Sequence, residues 1–280
     1  MLTMLAQASP DDPAPLGTAL VVVYAVAIAV VGAFGVASPW LVARHGDGRL
    51  VAYGNSFAGG VLLAAGLIHL LGDANEGFAT AYPDVDYPAA YAIATAAFLL
   101  VLAVERVIPR ASAAGDPAAD PEAAALLAGG QGGGAAPYLL LLTLSIHSVI
   151  AGLTLGISSA AGAGVLLVAI LAHKGAAGFA LGSTFRESSI APRTRIPALG
   201  IFVCSTPAGV LLGGLATAVL GGGDSAAEAW FKAVAAGTFL YIATLDVVRE
   251  EFFPGGSDRA SRLSFAMLGA GVMALVAIWM

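Results

Sequence analysis

His147-Ser-Val-Ile-Ala-Gly-Leu-Thr-Leu-Gly156 and His173-Lys-Gly-Ala-Ala-Gly-Phe-Ala-Leu-Gly182 run to one pattern: histidine, alanine four residues on, glycine five on, glycine nine on. Both stretches are apolar and long enough to belong to neighbouring membrane helices. An imidazole in hydrocarbon costs free energy unless it has a partner. Two of them at matched depth on adjacent helices predict a shared partner, and a metal ion is the candidate. The small residues after each histidine predict that the two backbones approach each other closely.

The rest of the chain agrees with a membrane reading. It has 280 residues, 59% of them hydrophobic and only 11% charged; a soluble domain carries about 25% charge. A span needs roughly 20 apolar residues, and eight such stretches are present: about 16–42, 51–72, 88–108, 138–159, 163–185, 196–220, 228–251 and 261–279. The expected fold is an all-α membrane protein, one transmembrane domain over 1–280. A linker of Ala, Gly, Pro and Asp over 109–137 follows the third span and reads as a flexible loop. The lone cysteine, Cys204, leaves no partner for an internal disulfide. A net charge of -6 with no basic tract argues against a nucleic-acid partner. The first fifteen residues lack the basic start of a signal peptide.

Charge sets the expected orientation. Arg44, Arg49, Arg106, Arg110, Arg186, Arg193, Arg195, Arg249, Arg259 and Arg262 fall in alternate loops, which makes ten of the twelve basic residues on one side. That side is cytoplasmic by the positive-inside rule. Both termini are then outside, and the 109–137 loop is inside. The outer loops carry Asp11, Asp12, Asp73, Glu76, Asp84, Asp86, Asp224 and Glu228, with Lys232 the one basic residue near them. An acidic outer face attracts cations.

Few polar residues lie at depth. Neutral imidazole binds zinc and similar divalent ions, so His147 and His173 are the expected ligands. Ser148 reads equally as a weak oxygen ligand or as a hydroxyl bonded to the carbonyl one turn back. Lys174 either fills a subsite where a second cation would sit or reaches toward water. His69 and Asp73, four residues apart on one helix face, read as a metal-uptake relay or as an interface-level polar pair. Glu105 reads as a boundary residue beside Arg106. Asp246 lies deep in the seventh span, with Arg249 one turn on as a partner. Cys204-Ser205-Thr206-Pro207-Ala-Gly209 reads as an interruption of the sixth span, either of the kind transporters use for hinges and sites or a kink tolerated for packing.

These residues resemble the ZIP (Zrt/Irt-like) family of divalent-metal transporters over nearly the whole chain. His147 to Gly156 is similar to the family's fourth-helix signature, and His173-Lys-Gly175 to the fifth helix of its animal branch. Ala64-Ala-Gly-Leu-Ile-His-Leu-Leu-Gly-Asp73 resembles the second-helix motif, with Gly72 in the proline position. Thr206-Pro207-Ala-Gly209 and Ala236 to Asp246 look like helices six and seven. The resemblance implies helices one to three and six to eight as inverted repeats around helices four and five, an elevator-like movement, and a homodimer. It implies zinc, iron or manganese as substrate, moving toward the cytoplasm, with no permanently bound cofactor. It maps His147, Ser148 and His173 onto metal ligands, and His69, Asp73, Lys174, Ser205 and Asp246 onto the transport pathway. The chain departs from the family where a glutamate generally follows either histidine by four residues: Ala151 and Ala177 stand there. A site of histidines alone offers no formal negative charge to a dication.

The expected function is a secondary importer of divalent metal ions. The alternative is a non-transporting metal sensor or scaffold of the same fold. An enzyme is not expected, since no nucleophile–base arrangement or His-Glu-x-x-His motif is present, and no phosphate-cradling loop supports ATP-driven pumping.

Overall fold

The computed structural model describes residues 16–44, 46, 48–103, 136–158, 160–220, 225–248 and 258–279. Those residues form eight helices in chain order: α1 (Thr18–Ala43), α2 (Gly48–Ala81), α3 (Ala89–Leu102), α4 (Ala136–Ile157), α5 (Ala160–Glu187), α6 (Pro192–Leu220), α7 (Ser225–Tyr241) and α8 (Arg259–Val276). Two of them leave α geometry: α2 contains a π-helical stretch, Ala65–Leu70, and α7 runs on into another, Ile242–Val248. Among the described residues there is no strand.

Six helices are long and apolar enough to cross a membrane: α1, α2, α4, α5, α6 and α8. The other two are shorter apolar helices within the third and seventh expected spans, whose ends at 104–108 and 249–251 lie outside the described residues. So do Glu105 and the loop expected over 109–137, apart from Ala136 and Pro137, which open α4. The largest difference from expectation is in α2, which continues to Ala81 rather than ending near 72. Its last turns carry Asp73, Asn75 and Glu76 with Phe78 buried beneath them, so this end is a polar-faced extension.

Lipid tails solvate leucine as well as protein does, so helices in a bilayer associate through close backbone packing. The glycines show where. A Cβ on Gly152 or Gly156 of α4 would overlap the carbonyl oxygens of Thr206 or Val210 on α6, and one on Gly209 the carbonyl of Val149 in return. On the other side, a Cβ on Gly35 of α1 would lie 2.6 Å from the Gly175 carbonyl of α5, and Gly182 presses on Val36. The glycines of the repeated pattern therefore do not bring α4 and α5 onto each other, as the sequence suggested. They bring α4 onto α6 and α5 onto α1. With α1 also against α6, these four helices make one group; α2 against α8 and α7, and α7 against α3, make the other. The two groups meet where α2 lies on α5 and α7 on α4.

The sixth helix is not interrupted. It stays helical from Pro192 to Leu220 through both Pro197 and Pro207. Proline frees a carbonyl one turn back, and here the neighbouring Phe202 carbonyl is taken up by the side chains of Ser205 and Lys174.

At the arginine-rich end, the Tyr53 hydroxyl of α2 donates to the Asp258 carboxylate, which precedes α8, and the Tyr53 ring stacks on Phe265 at 4.8 Å. The Tyr53 hydrogen bond, then Ser261 and the charges of Arg49 and Arg262, hold the Asp258 carboxyl below its ordinary value against a raising effect of desolvation. A depressed carboxyl stabilises the fold above the unfolded value of about 4 and loses that contribution as pH falls through the folded value. Tyr53→Phe should therefore lower the unfolding temperature slightly at pH 7. The gap from wild type should close once Asp258 is protonated, below about pH 4. Thermal unfolding in detergent at both pH values reads this; a gap that persists in acid would assign the effect to packing.

Candidate metal-ion path

The three described intramembrane histidines come from three helices and meet in one place. His69 sits in the π-helical stretch of α2, His147 in α4 and His173 in α5, and all are buried. His173 is in the middle: its ring centre is 5.6 Å from that of His147 and 6.4 Å from that of His69. Phe239 of α7 walls the cluster, 4.6 Å from the His147 ring and 6.5 Å from the His173 ring. The rings of the two histidines expected to share a partner are thus neighbours. Two imidazoles on one tetrahedral zinc, with Zn–N bonds of about 2.1 Å, put their ring centres roughly 5 Å apart.

The polar atoms point the same way. Nε2 of His147 and Nδ1 of His173 are buried and make no hydrogen bond of good geometry, although His173 has the Ala169 carbonyl one turn back beside it. A buried nitrogen without a partner is costly in a native fold, and an ion that visits is one way to satisfy it. His69 Nδ1 lies 3.3 Å from Asp73 Oδ2, at ion-pair distance but off the hydrogen-bond direction. Asp73 in turn accepts from Lys232 of α7 at 3.0 Å. The sequence did not put Lys232 in the site. Its signal was there, since it is the one basic residue near an otherwise acidic face.

Lys174 is 2% exposed and does not reach outward. Its amine donates to Ser148 Oγ at 3.0 Å and to the Phe202 carbonyl at 2.8 Å, and it sits 3.6 Å over the centre of the Phe202 ring. Two oxygens and a ring face surround the amine much as ligands would surround a cation. Ser148 is therefore tied to Lys174, and Ser205 donates to the same Phe202 carbonyl at 2.8 Å. Asp246 lies in the π-helical stretch Ile242–Val248, with its side chain outside the described residues. Cys204 is exposed on the outside of α6.

Among the described residues no group of three or more His, Cys, Asp and Glu side chains is placed to hold a metal ion. What the described residues bring together is two pairs of possible donors, Asp73 with His69 and His173 with His147. A groove of about 540 Å³ between α1, α2, α5 and α8 reaches Gly175, but its lining is apolar (Phe34, Phe57, Phe179 and Leu268 among others) and offers a dication nothing.

Known proteins place these features in context. The family described as ZIP Zinc transporter matches residues 18–135 and 128–277. Protein zntD of Dictyostelium discoideum is 37% identical over 149 residues, 51% of this chain and 21% of that protein. Zinc transporter 5 of Oryza sativa subsp. japonica is 29% identical over 266 residues, 80% of this chain and 75% of the relative. Zinc transporter ZIP2 of Mus musculus is 34% identical over 143 residues, 50% and 46% of the two chains. The matched part is thus under half the length of two of these three relatives. The family match nonetheless runs through all eight helices, and the histidine-bearing α2, α4 and α5 lie within it. This integral membrane chain belongs to the ZIP zinc transporter family.

Proposed function

We propose that the chain is a secondary importer of divalent metal ions, zinc first, with iron and manganese as the other candidates. The observation that carries this is the line of partnerless or weakly paired nitrogens from His69 through His173 to His147, buried between two helix groups. Relatives named as zinc transporters support it. An ion attracted by the acidic outer face meets Asp73 and His69, exchanges onto His173 and His147, and leaves toward the arginine-rich cytoplasmic side. Imidazole must be neutral to take a metal ion. Lys174 fills the neighbouring subsite on Ser148 and the Phe202 carbonyl, so one ion is held at a time. Ser148 and Ser205 then act by fixing Lys174, and Asp246 continues the path in α7. The ion is cargo and no cofactor stays bound; nothing in this path calls for an enzymatic step.

The same reading takes residues 1–280 as one transmembrane domain in the inner membrane, with both termini outside, the 109–137 segment in the cytoplasm, and two copies forming a homodimer. The helix neighbours support an inverted repeat. Exchanging α1 with α6, α2 with α7, α3 with α8 and α4 with α5 turns α4–α6 into α5–α1 and α2–α8 into α7–α3, which are the contacts present. Both α2 and α7 also carry a π-helical stretch. The two helix groups would be the bodies that move against each other.

Uptake into tight proteoliposomes, with zinc, iron, manganese, cobalt and cadmium compared, tests the importer. Saturable zinc flux that the other ions inhibit is expected. No flux of any of them into vesicles holding folded protein would leave the sensor or scaffold reading in its place.

A further inference from the structure

We infer that Lys232 is a latch on the outer station: its ammonium stands in for the cargo on Asp73 until a divalent ion displaces it. This rests on the importer reading and adds a residue and a selection step to it. Lys232 Nζ and His69 Nδ1 approach one and the same oxygen of Asp73, at 3.0 and 3.3 Å. A dication that binds Asp73 and His69 through that oxygen comes against the ammonium, and the repulsion between them favours moving it.

The surroundings decide what moves. On either side of Lys232, Ala229 and Ala233 are 1% and 0% exposed, packed into the bundle. Nearby on the same helix, the Trp230 ring meets the edge of Phe78 at 5.6 Å, and Phe78 stacks on Tyr82 at 6.1 Å, so the outer ends of α7 and α2 are pinned together. The backbones stay in place and the side chain swings. Lys232 is 20% and Asp73 33% exposed, so the amine can reach water without unfolding anything. Lysine suits this role because it carries a compact point charge on a flexible stem and makes no forked bond that would be hard to break.

The latch selects by charge. A monovalent ion gains from Asp73 no more than the tethered ammonium does, and the tether gives lysine the higher local concentration. A dication gains twice the Coulomb attraction and can add the His69 nitrogen. Only the dication wins the exchange. Leaving the lysine in place would set two positive charges against one oxygen, and their repulsion favours release of the lysine.

Lys232→Gln and Lys232→Arg separate the latch from a plain structural pair. A partly exposed ion pair is weak, so Lys232→Gln should lower the KM for zinc roughly two- to fivefold, with kcat held, and should let sodium at high concentration compete. Lys232→Arg keeps the charge on a forked bond that is harder to break, so its KM should stay at or above the wild-type value, with the insensitivity to sodium kept. An unchanged or raised KM in Lys232→Gln, or an arginine variant that behaves like glutamine, would overturn the proposal. A second readout needs no flux: zinc titrated calorimetrically into the purified protein. Tighter zinc binding in Lys232→Gln than in wild type, with Lys232→Arg no tighter than wild type, supports the latch even if the chain carries no ion. Equal affinities in wild type and Lys232→Gln overturn it, whatever the transport assay shows.

Discussion

His147→Ala and His173→Ala are each expected to cut zinc flux by more than about tenfold, the scale on which a metal site weakens when a supporting group is lost. The two rings stand 5.6 Å apart, each with one buried nitrogen that makes no hydrogen bond of good geometry. Removing either leaves a lone imidazole, and no carboxylate replaces it, because Ala151 and Ala177 occupy the positions one turn on. The double variant should be barely worse than the single ones, since a station of two donors is already lost when one goes. Isothermal calorimetry and uptake on the same preparations read this. The His147 ring also packs on Phe239 at 4.6 Å, so His147→Phe serves as the packing control: it should fold as well as wild type and still fail to transport. Flux surviving in both alanine variants would move the path away from α4 and α5.

Gly152→Leu and Gly209→Leu should be among the most damaging apolar substitutions in the described residues. Each places a side chain where a backbone carbonyl of the facing helix already lies, Thr206 in the first case and Val149 in the second. Overpacking a tight site costs about 1–3 kcal/mol, occasionally more. Here the strain falls on two backbones, which cannot turn to another rotamer. Loss of folded protein at 37 °C, or a fall of several degrees in unfolding temperature with loss of flux, is expected. Gly164→Leu and Gly200→Leu change composition equally but meet nothing within 4 Å, and should behave as wild type. Equal tolerance at all four positions would show that α4 and α6 do not depend on this contact.

Much of the fold is legible in the sequence because membrane helices announce themselves by composition. The expected span starts at 16, 138, 163 and 196 fall within a few residues of α1, α4, α5 and α6. The histidine pairing is legible too, since two polar residues in matching apolar frames have few other uses. Partnership across the chain is not. The repeat around His147 and His173 fixes the spacing of glycines but not the helix each row faces; α1 and α6 supply that, and their own sequences carry no mark of it. Lys174 is satisfied by a backbone carbonyl, that of Phe202, which no side-chain pattern records. Asp73 and Lys232 are 159 residues apart, and only the packing of α7 on α2 makes them neighbours. Pro207 misleads because a helix can survive proline where side chains take up the carbonyls around it.

The π-helical stretch Ala65–Leu70 sets a constraint on how this part of the chain can vary. A π segment is an α-helix carrying one residue more than its ladder needs. Deleting one residue there would restore the regular ladder and leave the flanking turns aimed as before, because the wide turn is what absorbs the extra residue. Asp73 would then keep the face it shares with Lys232, and the side chains inside the stretch would be the ones that move. Among related chains, a one-residue gap in this stretch would mark those whose second helix is regular here, with its outer end aimed the same way. Length here carries information that residue identity does not.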